Sequence, residues 1–190
     1  MKITLVTGNA HKAEELRPFF EKSQLVLEWK NIETPEPALS TLSAIAAYKA
    51  QKAFETEQAP VLVEDTGIFF RAYKDFPGIF PKRMFESLGY SGLLRLLGKD
   101  RRAFFETRLV FFDGKQLHET VGRWHGHISK TVRKKNGKKS FPYERIFVPN
   151  GEKRSISEMS TEEKNRASHR AIAARKMVRW LSPNSGHREK

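Results

Sequence analysis

The hydrophobic pattern along the chain alternates between strand-like and helix-like spacing. Lys2 to Thr7, KITLVT, is a short β-branched and apolar run bounded by Gly8 and Asn9, which predicts a buried first strand. HKAEELRPFFEK follows, rich in good helix formers, with Pro18 expected to kink or interrupt the helix. LVLEWKNI has strand character and stops at ETPEP. From Thr41 to Glu57 the residues Leu42, Ile45, Ala46, Lys49 and Ala53 recur at helical spacing and give the clearest helix. APVLVEDTG predicts a second buried strand that ends abruptly in Glu64, Asp65, Thr66 and Gly67. Ser87 to Leu97 reads as a short helix carrying Leu93, Leu94 and Leu97. RAFFETRLVFFDGKQLHETVGRWHGHIS alternates around Asp113-Gly114 and predicts two antiparallel strands. A last helix runs from Lys164, capped by Ser160 or Thr161 ahead of Glu162 and Glu163.

Strands and helices alternate first and strands then pair antiparallel, so the class is mixed α/β. With 190 residues and no low-complexity linker, residues 1–181 read as a single two-lobed domain and 182–190 as a flexible basic tail. No apolar run approaches the roughly 18 residues that span a bilayer, and the start lacks a secretory signal. The expected setting is therefore soluble and cytoplasmic, away from membranes. Zero cysteines exclude disulfides, thiolate metal sites and thiol nucleophiles, leaving oxygen or imidazole for any metal. Charge narrows the partners: 35 Lys and Arg against 22 Asp and Glu give +13, which attracts polyanions such as nucleotides, RNA or DNA. The excess is concentrated in Lys130–Lys139 and in the tail, so nucleic-acid binding through that run is an alternative function.

Four stretches carry candidate chemistry. TGNAHK, Thr7 to Lys12, delivers a strand into a helix start, where free backbone N–H groups, a permissive Gly8 and the Lys12 charge suit a phosphate. It lacks the Walker glycine spacing and Lys-Ser/Thr pair. In VEDTG, Glu64 and Asp65 point to opposite faces if the chain stays extended, and Asp65 is the favoured candidate. A carboxylate without cysteine partners suits Mg²⁺, with Glu36 of TPEPA as a second ligand. In FPYERIFVPNG, Phe141 and Tyr143 could stack on a flat heterocycle while Ile146 and Phe147 look like core. Ser168, His169 and Arg170 are consecutive and can converge only at a helix start or in a loop beside it.

In this order, TGNAHK, the Glu36 loop, VEDTG, FPG, FPYERIFVPNG and KNRASHR resemble the Ham1-like inosine triphosphate pyrophosphatases, from Lys2 to about Lys176. The resemblance implies a long twisted mixed sheet with flanking helices forming two lobes around a central nucleotide-binding cleft, a homodimer and Mg²⁺ dependence. It implies hydrolysis of noncanonical purine nucleoside triphosphates, dITP/ITP and XTP/dXTP, to the monophosphate and pyrophosphate. Carried over by motif, Thr7, Gly8, Asn9, Ala10, His11 and Lys12 would hold the triphosphate, and Thr66 would touch phosphate. Glu36 and Asp65 would hold Mg²⁺. Asp65 would accept the proton of the attacking water, with Glu64 and Lys12 assisting. Phe141, with Pro142, Tyr143 and Glu144, would contact the purine; Lys164 would contact the nucleotide; Ser168, His169 and Arg170 would close on the base edge. A donor such as Arg170 accepts a 6-keto purine and leaves adenine unpaired. The chain departs from the family where Pro142, Tyr143, Glu144 and Arg145 replace a Gly-Tyr/Trp-Asp-Pro run, which points to altered base selectivity as a further alternative.

Overall fold

The computed structural model describes residues 1–23, 25–32, 34, 37–134 and 141–182. Glu36, much of the basic run (135–139) and tail residues 183–190 lie outside them. Seven strands are described: β1 (Lys2–Val6), β2 (Val26–Lys30), β3 (Val61–Phe70), β4 (Pro77–Gly78), β5 (Arg102–Phe112), β6 (Leu117–Ile128) and β7 (Phe147–Pro149). They form one mixed sheet in the order β2-β1-β3-β5-β6-β7, with β4 on β3. β1 runs parallel to both β2 and β3, placing Lys2 beside Val26 and Thr4 beside Val61. The helices are α1 (Ala10–Glu21), α2 (Leu42–Glu57), α3 (Pro81–Leu96), α4 (Thr161–Ala167) and α5 (His169–Leu181).

The chain divides into two compact units, residues 1–66, 107–122 and 168–190 in the first, 67–106 and 123–167 in the second. In the first, α1 and α5 cover one sheet face, packing Leu16, Phe20, Ala173 and Met177 on Ile3, Leu5, Leu62 and Leu109. The other face carries α2, whose Ala46, Ala50 and Ala53 pack on Val6, Val61, Val63 and Val110. Period-2 alternation thus sends Leu62 toward α1 and α5 and Val63 toward α2. The second unit has its own core of Ile68, Phe70, Leu93, Phe105, Trp124, Tyr143 and Phe147.

Four boundaries differ from the sequence pattern. The last helix, expected from Lys164, starts at Thr161 and divides at Ser168 into α4 and α5. Pro18 lies inside α1, which continues to Glu21. Full burial of Leu16 and Phe20 on either side contributes about 1.5–3 kcal/mol each, enough to offset the about 3 kcal/mol of an interior proline. β3 does not end at Glu64–Gly67 but runs on to Phe70. Gly67 is required by β4, because a Cβ there would stand 2.5 Å from the Gly78 carbonyl oxygen. α3 starts at Pro81 rather than Ser87 and turns at Gly89, whose φ of 57° lies in the left-handed region. The hairpin of β5 and β6 matches its alternation, and Ser160 caps α4 by accepting the Glu163 N–H at 3.2 Å.

Candidate active site

The site is assembled within the first unit by three elements. β1 ends at Val6 and hands the chain to α1 through Thr7–Asn9. Asn9 caps the helix by accepting the His11 N–H at 3.0 Å, and its own N–H donates to Thr7 Oγ1 at 3.2 Å. That corner stands at the carboxyl end of β1, with β2 on one side and β3 on the other. In parallel α/β sheets such a reversal of strand order is where ligands enter. His11 leans on Glu14 at 3.4 Å, and Ala10 and Gly8 are exposed.

β3 supplies both carboxylates, on opposite faces as extended geometry requires. Glu64 turns to the α1 and α5 side, and its side chain is 0% exposed. Its Oε1 accepts from Arg170 Nε at 3.1 Å and Nη2 at 2.9 Å, from Thr66 Oγ1, and from Thr107 Oγ1 at 3.3 Å. Oε2 meets the Lys12 ammonium at 2.5 Å. Arg170 is 3% exposed and gives Nη1 to Glu15. Burial by itself would raise the Glu64 pKa; the Arg170 and Lys12 charges and the Thr66 hydroxyl outweigh it and hold the carboxyl well below the usual range. The same carboxylates hold the Arg170 guanidinium protonated against its own burial.

Asp65 turns to the α2 side, 16% exposed, with Lys49 Nζ 3.4 Å from Oδ1. Its pKa is raised, chiefly by burial and further by the Glu64 charge, while Lys12 and Lys49 pull against the rise. A partly exposed carboxylate moved toward neutrality beside the Lys49 ammonium has the features of a general base.

Lys49 went unassigned in the sequence pattern. The signal was present, because a lysine standing at an apolar position of an otherwise small-residue stripe needs a buried partner. The Ser-His-Arg turn does form a helix start: α4 ends at Ala167, and Ser168 caps α5 by accepting the Ala171 N–H at 3.1 Å. All three residues are buried. The Ser168 oxygen is engaged by the helix, and the Arg170 guanidinium by Glu64 and Glu15.

The remaining candidates lie in the second unit. Phe141 is exposed and free to stack. Tyr143 is not, being buried in the core with its hydroxyl donating to the Pro81 carbonyl at 3.0 Å, and burial raises its pKa. Pro142 accepts from the Tyr90 hydroxyl at 3.1 Å. Glu144 is buried against Lys164, whose Nζ stands 2.8 Å from Oε1. Among the described residues no cluster of three His, Asp or Glu side chains is placed to hold a metal ion. Asp65 offers the accessible carboxylate oxygens on its face, and a single carboxylate fits Mg²⁺, which completes its shell with water and substrate phosphates.

A family model described as the Ham1 family matches residues 3–180. The dITP/XTP pyrophosphatase of Thermococcus kodakarensis is 37% identical over 186 residues, covering 97% of this chain and 99% of that protein. The dITP/XTP pyrophosphatase of Saccharolobus solfataricus is 38% identical over 183 residues, covering 95% and 94%. The solved structure of a HAM1 protein from Coxiella burnetii superposes with a TM-score of 0.81 at 24% identity, covering 95% and 98%, a likeness of fold.

Proposed function

The chain belongs to the Ham1 family, and from that footing we propose that it hydrolyses noncanonical purine nucleoside triphosphates, dITP/ITP and XTP/dXTP, to the monophosphate and pyrophosphate. The observation that carries this reading is the placement of Asp65, partly exposed and paired with Lys49, next in strand to the Glu64 that joins Lys12 to Arg170.

In this mechanism the first turn of α1 and Lys12 receive the phosphates, since helix N–H groups and a cation both favour negative charge there. Asp65 accepts the proton of a water aligned on the α-phosphorus. Lys49 keeps a share of Asp65 ionised and orients it. Charge growing on the departing pyrophosphate meets Lys12, an interaction strengthened as the bond breaks. No residue need become covalently modified. Bound Mg²⁺ would be held by Asp65 and would supply charge neutralisation on the phosphate oxygens.

The pairing of Lys164 with Glu144 favours a second reading, in which the base preference is shifted. A lysine held by a buried glutamate presents a different partner to the purine than a free one. The homodimer, which the family resemblance implies, and the cytoplasmic setting, expected from the hydrophobic pattern, belong to the proposal; among the described residues no helix is long and apolar enough to cross a membrane.

Incubation of the purified protein with dITP, XTP and the normal deoxynucleoside triphosphates plus Mg²⁺, following pyrophosphate release, tests both readings. Turnover of dITP and XTP well above dATP supports the first; strongest turnover of another modified base supports the second. Absence of turnover on every triphosphate overturns both.

A further inference from the structure

We propose that Glu15 is a positioning residue that, by orienting Arg170, leaves one oxygen of Glu64 to Lys12 and so keeps Lys12 ready to transfer to a phosphate. The inference rests on the reading of the Thr7–Lys12 corner as a phosphate site given above.

An arginine facing one carboxylate normally grips both oxygens through two parallel N–H bonds. Here it does not. Arg170 Nε and Nη2 both fall on Glu64 Oε1, at 3.1 and 2.9 Å, and Nη1 is drawn away to Glu15. Two carboxylates on different elements, α1 and β3, therefore fix the guanidinium in an orientation that a single one would not.

The consequence falls on Glu64. Its Oε1 collects Arg170, Thr66 and Thr107, whereas Oε2 is buried and, among the described residues, makes no hydrogen bond beside its 2.5 Å ion pair with Lys12. Lys12 can thus leave Oε2 for an incoming phosphate while Glu64 stays ionised and fixed through Oε1. Without Glu15, Arg170 is free to rotate into the two-oxygen grip and expel Lys12 from its resting place. Glu15 and Lys12 are three residues apart on one helix, so the residue that fixes Arg170 and the residue that leaves Glu64 move with the same backbone.

The test is a double-mutant cycle read by calorimetric titration with inorganic pyrophosphate, which needs no turnover and no identified nucleotide. Wild type, Glu15→Gln, Lys12→Ala and the double variant are compared. Expected is a five- to twentyfold loss of pyrophosphate affinity in Glu15→Gln that disappears in the Lys12→Ala background, because Glu15 acts through Lys12. Equal losses in both backgrounds, or no binding to wild type, overturn the inference. If Glu15→Gln fails to fold, Glu15→Met/Arg170→Met removes both charges together. Arg170 is then not there to expel Lys12 from Glu64, so pyrophosphate affinity should stay within about twofold of wild type and still be lost with Lys12→Ala; a five- to twentyfold loss in that variant overturns the inference. Pyrophosphate binding without hydrolysis of any nucleoside triphosphate would sink the enzymatic reading and leave this one standing.

Discussion

At the scale of single residues, the adjacent carboxylates Glu64 and Asp65 receive opposite fates from a strand that alternates faces. Asp65→Asn keeps the shape and removes the base, so turnover should fall about 100-fold or more with thermal stability nearly unchanged. Near wild-type turnover would remove Asp65 from the chemistry. Because burial raises the Asp65 pKa, the acid limb of kcat/KM against pH should have its midpoint above the ordinary aspartate value of 3.8. Lys49→Met removes a charge that pulls that pKa down and should move the midpoint higher still. The opposite faces of Glu64 and Asp65 were legible in the sequence, as alternation alone decides them. The role of Arg170 was not, because which buried carboxylate captures a guanidinium depends on elements more than a hundred residues apart.

At the scale of elements, the site depends on how closely α5 approaches the sheet. Gly122 of β6 has no room for a side chain: a Cβ would lie 1.8 Å from the His169 carbonyl oxygen and 2.8 Å from the Ala173 nitrogen, both backbone atoms. Gly122→Ala must therefore push the start of α5 outward and draw Arg170 from Glu64. Lower melting temperature and reduced turnover together are expected; a change in stability alone would mean that α5 can shift without disturbing the pair. Ser168→Ala removes only the cap and should cost about 1 kcal/mol of stability, read from a denaturant titration. The helix–strand alternation that builds this unit was legible from periodicity; in the second unit, of the two caps expected for α4, Ser160 or Thr161, it is Ser160 that accepts the Glu163 N–H. Where strands and helices stop was less legible: β3 passes through Asp65–Gly67 because its neighbours continue, and a glycine there signals close approach rather than an end.

At the scale of the whole molecule, pH and salt act on charges that the fold has set. Glu64 is held below its ordinary value of 4.5, so its stabilising contribution is fully present above that pH and is lost as pH falls toward the depressed native value. Asp65 works in reverse, since its raised pKa favours the folded state at low pH and the contribution fades as pH rises through that value. Glu64→Gln should thus lower stability at neutral pH by about 3–5 kcal/mol, as expected for breaking a buried pair, and flatten the acid side of the melting curve. The net charge of +13 adds a longer-ranged effect, drawing a triphosphate toward the protein from any direction. Such steering is screened within about 8 Å at physiological ionic strength. Raising salt should therefore lower kcat/KM while leaving kcat unchanged, because encounter is weakened and chemistry at Asp65 is not. Lys138→Glu with Lys139→Glu separates the two functions suggested by the basic run: a nucleoside triphosphatase should show a modestly raised KM and the same kcat. A nucleic-acid binder should lose affinity for single-stranded RNA with a shallower salt slope, by roughly one unit per phosphate contact removed.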